Sequence, residues 1–450
     1  MQDTPLHKAI FAQDYELFCD LLPISDVNAR GENDSTALIE VCYQRLSTVS
    51  RQMFQDLINH PNIDVNLTDV AGVSALGVAI VQRLDLVQPL LEKGANPNNY
   101  TYVRLGGGID PTGRNYNEWR QMTPLCVAVR NHDKELVSLL LKHGAVIDMV
   151  GDLDISPLSM AARSNDVDMM RFLIDNGASL ETLPTNWRDY TQNPQDGCSV
   201  VLRKALKYGS VDCLDALIKA GIHMPERIYR KRGEYATLLT YVLSQPHTEH
   251  QSKTSLHTKT ALLLLENGAD KVGADFHGRT PLFHAVCRHN YTLCEKLVTP
   301  ETVNKADIFG NAPLARACHR GDVNIVRLLL ENGANPNTTI HYVPRTLRSI
   351  SENPDGIEEP LICFALRYKQ EQMAALLIRH GAHLLWKDGK GQDLSSWTMF
   401  GFSPAFKKMF ADVLKRQQQA LQMDNTDMGN ASTQAYIQKL CVEFINNNQK

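Results

Sequence analysis

The alternation of apolar and polar residues along the chain repeats one phrase. The phrase is a Thr/Ser-Pro-Leu step, a small residue, and then an apolar triplet that ends in Gly-Ala. It is clearest at residues 123–145 and recurs at residues 156–178 and, with Ala in the first place, at residues 312–334. In each of these copies the Gly follows the Pro by 20 residues. Self-similarity of this kind predicts a repeat architecture.

Each copy predicts a pair of short antiparallel helices, called helix one and helix two. The hydroxyl before Pro caps helix one, and Pro tolerates the first helical position because its missing N–H would have no partner there. The apolar triplet belongs to helix two, which Gly ends by adopting the left-handed conformation. Three copies instead carry Pro23, Pro61 or Pro300 near this point, and Pro ends a helix by removing a donor.

Seven weaker copies, beginning at residues 4, 36, 74, 200, 237, 280 and 360, bring the number of repeats to ten. Five residues after the first position of every copy lies a small residue, which lets neighbouring helices approach closely. These residues are Ala9, Val41, Ala79, Ala128, Ala161, Ala205, Val242, Ala285, Ala317 and Ala365. Close stacking of helices one is therefore predicted along the whole series.

The phrase, its order and its spacing resemble the ankyrin repeat, a helix-turn-helix unit of about 33 residues that begins T-P-L-H-x-A. The resemblance covers about residues 3 to 385; only His7 keeps the His of that signature, and repeats six and seven are degenerate. It implies an all-α fold: an ankyrin-type solenoid of about ten helix-turn-helix repeats with extended hairpin fingers over residues 1–385. Residues 386–450 are expected to form a C-terminal helical cap and tail.

The spacing between repeats locates several insertions. From repeat one to repeat ten the chain has 59 residues more than regular periods require. Residues 99–120, 183–196 and 338–358 follow the Gly turn, where an ankyrin-like unit has its hairpin finger, so we expect long fingers there. Residues 224–235 predict a mildly expanded finger, and residues 244–258 separate helix one from helix two of repeat seven.

Beyond the repeats, two amphipathic helices are predicted. Ser403 and Pro404 resemble another cap followed by a first-position Pro. One face of that helix carries Phe406, Met409, Phe410, Val413 and Leu414, and a last segment carries Ile437, Leu440, Cys441, Phe444 and Ile445 at helical spacing. Because an open stack must cover its terminal apolar surface, the first helix is expected on repeat ten. The last segment either completes this cap or binds elsewhere.

Composition and charge narrow the class of protein. With 43% apolar and 21% charged residues the chain is neither disordered nor collagenous. Its net charge of -4 gives no general reason to expect nucleic acid or an acidic membrane as a partner. The sequence lacks an apolar run long enough to span a membrane, and its N-terminus lacks the layout of a secretory signal. Ten singly placed cysteines indicate a reducing compartment, so we expect a cytoplasmic protein.

Catalytic signatures are sparse. Phosphate-loop, zinc-protease and hydrolase motifs are missing, so neither a cofactor nor a metal is expected. His247, His250 and His257 share an insertion but lack a familiar ligand spacing, which favours a solvated loop. The enzyme alternative is a cysteine nucleophile, Cys126 or Cys287, because a helix N-terminus lowers a thiol pKa. A packing role is favoured over catalysis for both cysteines, since they occupy positions that face neighbouring repeats.

Binding has more support, because the fingers are rich in Tyr, Trp and Arg, the residues that most often anchor interfaces. The candidate partner-binding residues are Tyr102, Arg104, Trp119, Arg120, Trp187, Arg188, Tyr229, Arg230, Arg232, Tyr342 and Arg345. They predict a scaffold that binds another protein along a concave groove. Two alternatives stay open: Trp119 and Trp187 fold the inserts back onto the stack, or the basic residues 227–232 bind nucleic acid.

Degenerate ankyrin-like arrays with large insertions also resemble translocated effectors of intracellular bacteria. That resemblance implies that the partner is a host protein and that the Asn-rich residues 444–450 are an export signal. It also implies Asn hydroxylation at finger positions such as Asn28, Asn66 or Asn337. We expect the protein to be monomeric.

Overall fold

A computed structural model describes residues 3–45, 47–82, 84–104, 119–151, 155–181, 198–229, 234–245, 251–342, 357–385, 394, 401–422 and 431–447. These residues form 22 α-helices and six β-strands. The chain divides into two compact units, which are described separately below. The first unit contains Met1–Gly233 with Gln245–Leu263, and the second contains Glu234–Ser244 with Leu264–Lys450.

In the first unit, helix pairs follow one another along the chain. Its elements are α1 (Pro5–Ala12), α2 (Tyr15–Leu21), α3 (Ala37–Tyr43), α4 (Thr48–Asn59), α5 (Ala75–Gln82), α6 (Val87–Glu92), β1 (Thr101–Arg104), β2 (Trp119–Met122), α7 (Pro124–Arg130), α8 (Lys134–Lys142), α9 (Pro157–Ser164), α10 (Val167–Asp175), α11 (Val200–Tyr208), α12 (Val211–Lys219) and β3 (Ile228–Tyr229). The helices one, which are α1, α3, α5, α7, α9 and α11, pack successively on one another.

The second unit continues the same construction. Its elements are β4 (Tyr235–Ala236), α13 (Leu238–Leu243), α15 (Pro281–Cys287), α16 (Tyr291–Leu297), α17 (Pro313–Arg320), α18 (Val323–Glu331), β5 (Thr339–Tyr342), β6 (Ile357–Pro360), α19 (Leu361–Arg367), α20 (Glu371–Arg379), α21 (Pro404–Gln422) and α22 (Ala431–Asn447). Between α13 and α15 the chain forms α14 (Gln251–Glu266). Here α13, α15, α17 and α19 are the successive helices one.

The predicted hydroxyl caps are present at the start of eight helices one. In each case the side-chain oxygen accepts a hydrogen bond from the backbone N–H three residues later, which satisfies a donor that the helix cannot pair itself. The capping residues are Thr4, Thr36, Ser74, Thr123, Ser156, Ser199, Thr237 and Thr280. Ala312 and Pro360 precede α17 and α19 without such a bond.

The small residues at the fifth position explain how closely the helices one pack. All ten of them, from Ala9 to Ala365, have no solvent-exposed surface. A larger side chain at these positions would force neighbouring helices apart, because protein interiors are packed as densely as organic crystals.

Left-handed residues end both helices of a repeat. The predicted glycines after helix two, among them Gly94, Gly144 and Gly333, have φ between 78° and 97°. The turn between helix one and helix two also contains a left-handed residue. It is Gln13, His132, Asn165, Gly209, His289, Gly321 or Lys369 in seven of the repeats. The sequence pattern had not indicated this second left-handed position, because only two of the seven are Gly.

Asparagine side chains join consecutive repeats on the finger side. Asn66 donates through Nδ2 to the carbonyl oxygen of Gly94 at 3.1 Å, and its Oδ1 accepts from the N–H of Asn96 at 2.7 Å. The same pair of bonds is made by Asn28 and Asn98 in the first unit and by Asn304 and Asn337 in the second. The three asparagines named as hydroxylation candidates therefore belong to this ladder.

The two helices after the repeats pack within the second unit. Ser403 caps α21 as expected, accepting from the N–H of Phe406 at 3.2 Å. The predicted apolar face of α21 is buried, and α22 packs against both α20 and α21. The amide of Gln417 is buried against the end of repeat ten, where it donates to Ala382 O and accepts from Leu384 N.

Candidate protein-binding surface

The first long finger begins as an antiparallel pair of strands, β1 and β2. Tyr102 pairs with Gln121, and Arg104 pairs with Trp119. Its base is fixed by Thr101, a buried residue whose Oγ1 donates to Gly77 O at 2.9 Å. The register therefore brings the backbone of Arg104, Trp119 and Arg120 to the outer end of this strand pair.

The finger that precedes α19 is built in the same way from β5 and β6. Tyr342 pairs with Ile357, and Thr339 pairs with Pro360. Glu359 is buried, with 2% of its surface exposed, and its Oε2 accepts from Arg367 Nη2 at 2.7 Å and from Nε at 3.2 Å. This forked pair attaches the finger to helix one of the same repeat.

Of the other candidate residues in the fingers, Tyr229 lies among the described residues and five do not. Tyr229 lies in β3, half-buried, and its carbonyl oxygen accepts from the buried Arg203 Nη1 at 3.2 Å. The remaining candidates lie outside the described residues. These are Trp187, Arg188, Arg230, Arg232 and Arg345.

The two candidate cysteines have different surroundings. Cys126 is fully buried, and its Sγ lies 3.3 Å from Ile155 O. Burial raises the pKa of this thiol to about 12, so the expected activation by the helix N-terminus is outweighed. Cys287 is half-buried, and its Sγ accepts from Arg316 Nε at 3.3 Å. The burial of Cys126 therefore fits a packing role in the stack.

The histidines that follow these cysteines bind carboxylates of the next repeat. His132 is hydrogen-bonded to Asp166, and His289 Nδ1 lies 3.1 Å from Asp322 Oδ2. Both Asp residues cap a helix two, so these pairs join consecutive repeats. These cysteines and histidines therefore do not form a thiol–imidazole pair arranged for nucleophilic catalysis.

The insertion in repeat seven differs from the expected solvated loop. Its second part belongs to α14, and His257 is buried with its Nε2 3.2 Å from Lys207 O. The interpretation as a loop is wrong for His257, because the helix folds this face against the end of α11. His247 and His250 lie outside the described residues. Within the described ranges, no group of three or more His, Cys, Asp or Glu side chains is arranged to hold a metal.

Short hairpins with tips at residues 69–72, 275–278 and 307–310 carry exposed apolar residues that the repeat pattern had not indicated. Phe276, Ile308 and Phe309 are 49%, 61% and 56% exposed. Their tips are linked, because Ile308 N donates to His277 O at 3.0 Å. The signal was an Asp-x-x-Gly tetrad at residues 69–72, 275–278 and 307–310, whose second position is a large apolar residue in each copy although turn centres are usually polar.

The Asp of each tetrad fixes the tip. Asp275 Oδ1 accepts from the N–H groups of His277 and Arg279, and its Oδ2 lies 2.8 Å from His284 Nε2. Burial alone would raise the pKa of Asp275, but the bonds from His284 and from the backbone outweigh it and hold the pKa below its ordinary value. The tip is therefore a preorganised turn that presents Phe276 outward.

Paired helices, left-handed turns, inter-repeat ladders and projecting hairpins define a helical-repeat protein that exposes its side chains along hairpins and helix faces. A family model of ankyrin repeats, in three copies, matches residues 105–184 and 251–340. The chain therefore contains ankyrin repeats. Among the helices described here, none has the length and apolar character needed to cross a bilayer.

Curated relatives and solved structures with similar repeats were found. Two Variola virus sequences named ankyrin repeat protein OPG189 are each 32% identical over 91 residues, which is 20% of this chain and 16% of theirs. The chain thus spans about a sixth of the length of these relatives.

Among solved structures, the human ASB11 ankyrin repeat domain matches with 19% identity and a TM-score of 0.36, covering 57% of this chain and 97% of that one. The ankyrin repeat domain of Bcl-3 matches with 20% identity and a TM-score of 0.39, covering 58% and 98%. A chain from the complex of the Bdellovibrio bacteriovorus endopeptidase Bd0816 with immunity protein Bd3460 matches with 20% identity and a TM-score of 0.36, covering 49% and 99%.

Proposed function

We propose that this protein is a non-catalytic scaffold that binds another protein along a groove lined by its helices one and its fingers. The observation that carries the proposal is the exposure of Phe276, Ile308 and Phe309 at linked hairpin tips. Large apolar side chains held outward in a rigid turn lose little entropy on binding and contribute buried area at an interface.

The proposal includes an array of about ten repeats closed by a C-terminal helical cap. Burial of the α21 face and the contacts of Gln417 with Ala382 and Leu384 support the cap. A capped array is preorganised, because each repeat buries its apolar face only against its neighbours. The fingers then reach the partner at little ordering cost.

Two variants test the scaffold. The first replaces Trp119, Arg120 and Trp187 by Ala in the long fingers, and the second replaces Phe276, Ile308 and Phe309 by Ser at the short tips. Both are expected to lose the partner in quantitative co-purification from the native cell, with circular dichroism as the control for folding. Unchanged recovery of the partner with both folded variants would contradict the proposal.

The proposed setting is that of a monomeric cytoplasmic protein that is delivered into a host cell as a bacterial effector and binds a host protein there. The resemblance of degenerate, insertion-rich arrays to such effectors supports this part. A delivery reporter fused to the full chain is expected to enter host cells, and deletion of the last 20 residues is expected to abolish delivery. Delivery that does not change on deletion would contradict the export signal.

A further inference from the structure

One surface position of helix one recurs in every repeat of the first unit. It is the seventh residue after the capping residue, and the eighth in α11, which is one residue longer before its left-handed Gly209. The six residues at this position are Phe11, Tyr43, Val81, Arg130, Arg163 and Lys207. We call them the helix-one row. Because consecutive helices one pack on each other, the row is continuous from repeat one to repeat six.

The row changes character halfway along. Phe11, Tyr43 and Val81 are 46%, 41% and 40% exposed, so three large apolar side chains stand in solvent at consecutive rungs. The next three rungs are cationic, with Arg163 and Lys207 exposed and Arg130 half-buried. Single exposed apolar residues are common on proteins, but an ordered series is a feature of binding surfaces.

Among the described residues, no carboxylate neutralises the positive charges of the row. Burial, and then repulsion from Arg163, lower the pKa of Arg130, so the two guanidinium groups are close enough to interact. In the part of the chain that the structure describes, none of the three cations forms an ion pair. Arg163 and Lys207 instead lie over the ring of Tyr208, at 5.3 and 5.8 Å from its centroid. An aromatic face holds cations in place and leaves their charge available.

We infer that the helix-one row binds an extended protein segment with apolar side chains in one half and carboxylates in the other. This inference rests on the proposed scaffold function and names the chemistry of its partner. Packed helices lie about 8–10 Å apart, and an extended chain advances about 3.3 Å per residue, so the segment offers a side chain to each rung about every three residues. Carboxylates opposite Arg130, Arg163 and Lys207 relieve their mutual repulsion.

The apolar half of the row favours a protein over a nucleic acid. Burial, and then the charges of Asp69 and Glu40, raise the pKa of Tyr43, so the negative charges of two carboxylates act on this rung. A nucleic acid carries a phosphate at every nucleotide and would meet these carboxylates on crossing from the basic to the apolar half. A peptide can place neutral side chains there.

The test uses the full chain and a phage library of random linear peptides of about 18 residues, long enough to cross six rungs. Selection is expected to enrich peptides with Leu, Phe or Ile in one half and Asp or Glu in the other. A variant with Arg130→Glu, Arg163→Glu and Lys207→Glu is expected to bind these peptides at least about tenfold more weakly, and to enrich Lys and Arg instead. Equal binding by both proteins, or selection that enriches no such peptides, overturns the inference.

Matched controls separate this surface from general charge and from folding. Lys142→Glu with Arg171→Glu makes the same kind of charge change at exposed positions of helices two in repeats four and five, and should leave peptide binding unchanged. The milder variant with Gln at 130, 163 and 207 keeps the test valid if the Glu variant unfolds. Binding of oligothymidylate with a steep salt dependence that the Glu variant loses would overturn the protein partner in favour of a nucleic acid.

These experiments distinguish a failure of the helix-one row from a failure of the proposed scaffold function. If the finger variants keep the native partner while the peptide preference depends on the row, the fingers fail and the row stands. If the finger variants lose the partner and the Glu variant keeps both the partner and the peptides, the scaffold stands and the row fails.

Discussion

The two units differ at the same position of helix one. In the second unit this position is occupied by Ser244, Cys287, His319 and Arg367, and each has a partner inside the unit. Ser244 Oγ donates to Tyr241 O at 3.1 Å. Arg316 Nε donates to Cys287 Sγ, His319 stacks on Phe364 with ring centroids 5.9 Å apart, and Arg367 binds the buried Glu359. In the first unit the same position carries Arg130, Arg163 and Lys207, and within the described residues no carboxylate pairs with them.

The same repeat position can therefore stabilise the fold or stay available for a partner, depending on which side chains its neighbours offer. Glu359 comes from the strand of a long finger and meets Arg367 eight residues later, so the cation there attaches the finger. Among the described residues Arg163 lies over the ring of Tyr208 and pairs with no carboxylate, which leaves its charge to attract a partner.

The largest effect on stability is expected when the ion pair between Arg367 and Glu359 in the second unit is broken. Arg367→Ala leaves the buried Glu359 carboxylate without this cation, which we expect to lower the free energy of unfolding by about 2–3 kcal/mol. Arg163→Ala is the matched control in the first unit and should change it by less than about 0.5 kcal/mol. Urea unfolding of both variants checks this, and equal losses would mean that the position has the same role in both units.

The asparagine ladder should be equally important in both units. Asn98→Asp and Asn337→Asp each remove the Nδ2 donor and place a carboxylate against a glycine carbonyl, Gly144 O or Gly381 O. We expect each to destabilise its unit by about 1–2 kcal/mol. Hydrogen exchange of the flanking helices measures each unit separately. A loss in only one unit would show that stacking, rather than the helix-one position, distinguishes the two.

Asp148→Asn provides the opposite change in that ladder. Asp148 occupies the equivalent place and accepts from Ser179 N at 2.9 Å, but a carboxylate has no N–H to give to a carbonyl. The substitution restores a donor, and we expect a gain of about 0.5–1 kcal/mol in the same hydrogen-exchange measurement. A loss of protection would show that the amide does not reach the neighbouring glycine.

Acid should weaken both units through their His-Asp pairs. Hydrogen bonds hold the pKa values of Asp275 and Asp166 below their ordinary value, against the opposing effect of burial. A lowered carboxyl pKa stabilises the fold above the unfolded-state value, near pH 4, and this contribution is lost as the pH falls toward the folded-state value.

Replacement by Asn should therefore flatten the acid-side loss of stability. Asp275→Asn is expected to act more strongly than Asp166→Asn, because the His284 side chain is 11% exposed and that of His132 is 56% exposed. Urea midpoints at pH 6 and pH 3 measure the difference. An unchanged acid limb in Asp275→Asn would contradict the assigned hydrogen bonds.

The smallest effect concerns repulsion within the row. Arg163→Gln removes one of two guanidinium groups whose charges repel each other, so we expect stability to rise by a few tenths of a kcal/mol at low salt and not at high salt. Arg171→Gln, on helix two of the same repeat, should show no such salt dependence. Thermal melts of the two variants at two salt concentrations measure whether the stability gain depends on salt.

The repetitive part of the fold could be predicted from the sequence because it is local. The caps such as Thr123 and Ser156, the small residues such as Ala161, and the glycine turns are determined within one repeat. The apolar face of α21 followed from the same helical period. A local pattern was sufficient for each of these features.

The surface features could not be predicted in the same way. The bond of Asn98 crosses to Gly144, 46 residues away and beyond an insertion of irregular length. The burial of His257 depends on where α14 meets Lys207. The helix-one row becomes visible only when exposure is compared across repeats, because neither Phe11 nor Arg163 is unusual in its own repeat. Contacts between repeats, rather than residue type, decide which side chains remain available.

We propose that the first unit offers its helix-one row to a partner. The most direct measurement is the dissociation constant of a selected peptide for the variant with Arg130→Glu and Arg163→Glu, compared with the variant with Lys142→Glu and Arg171→Glu. We predict at least about tenfold weaker binding for the first variant and less than about twofold for the second. Equal weakening in both variants would contradict the claim, because the peptide would then respond to net charge and not to the row.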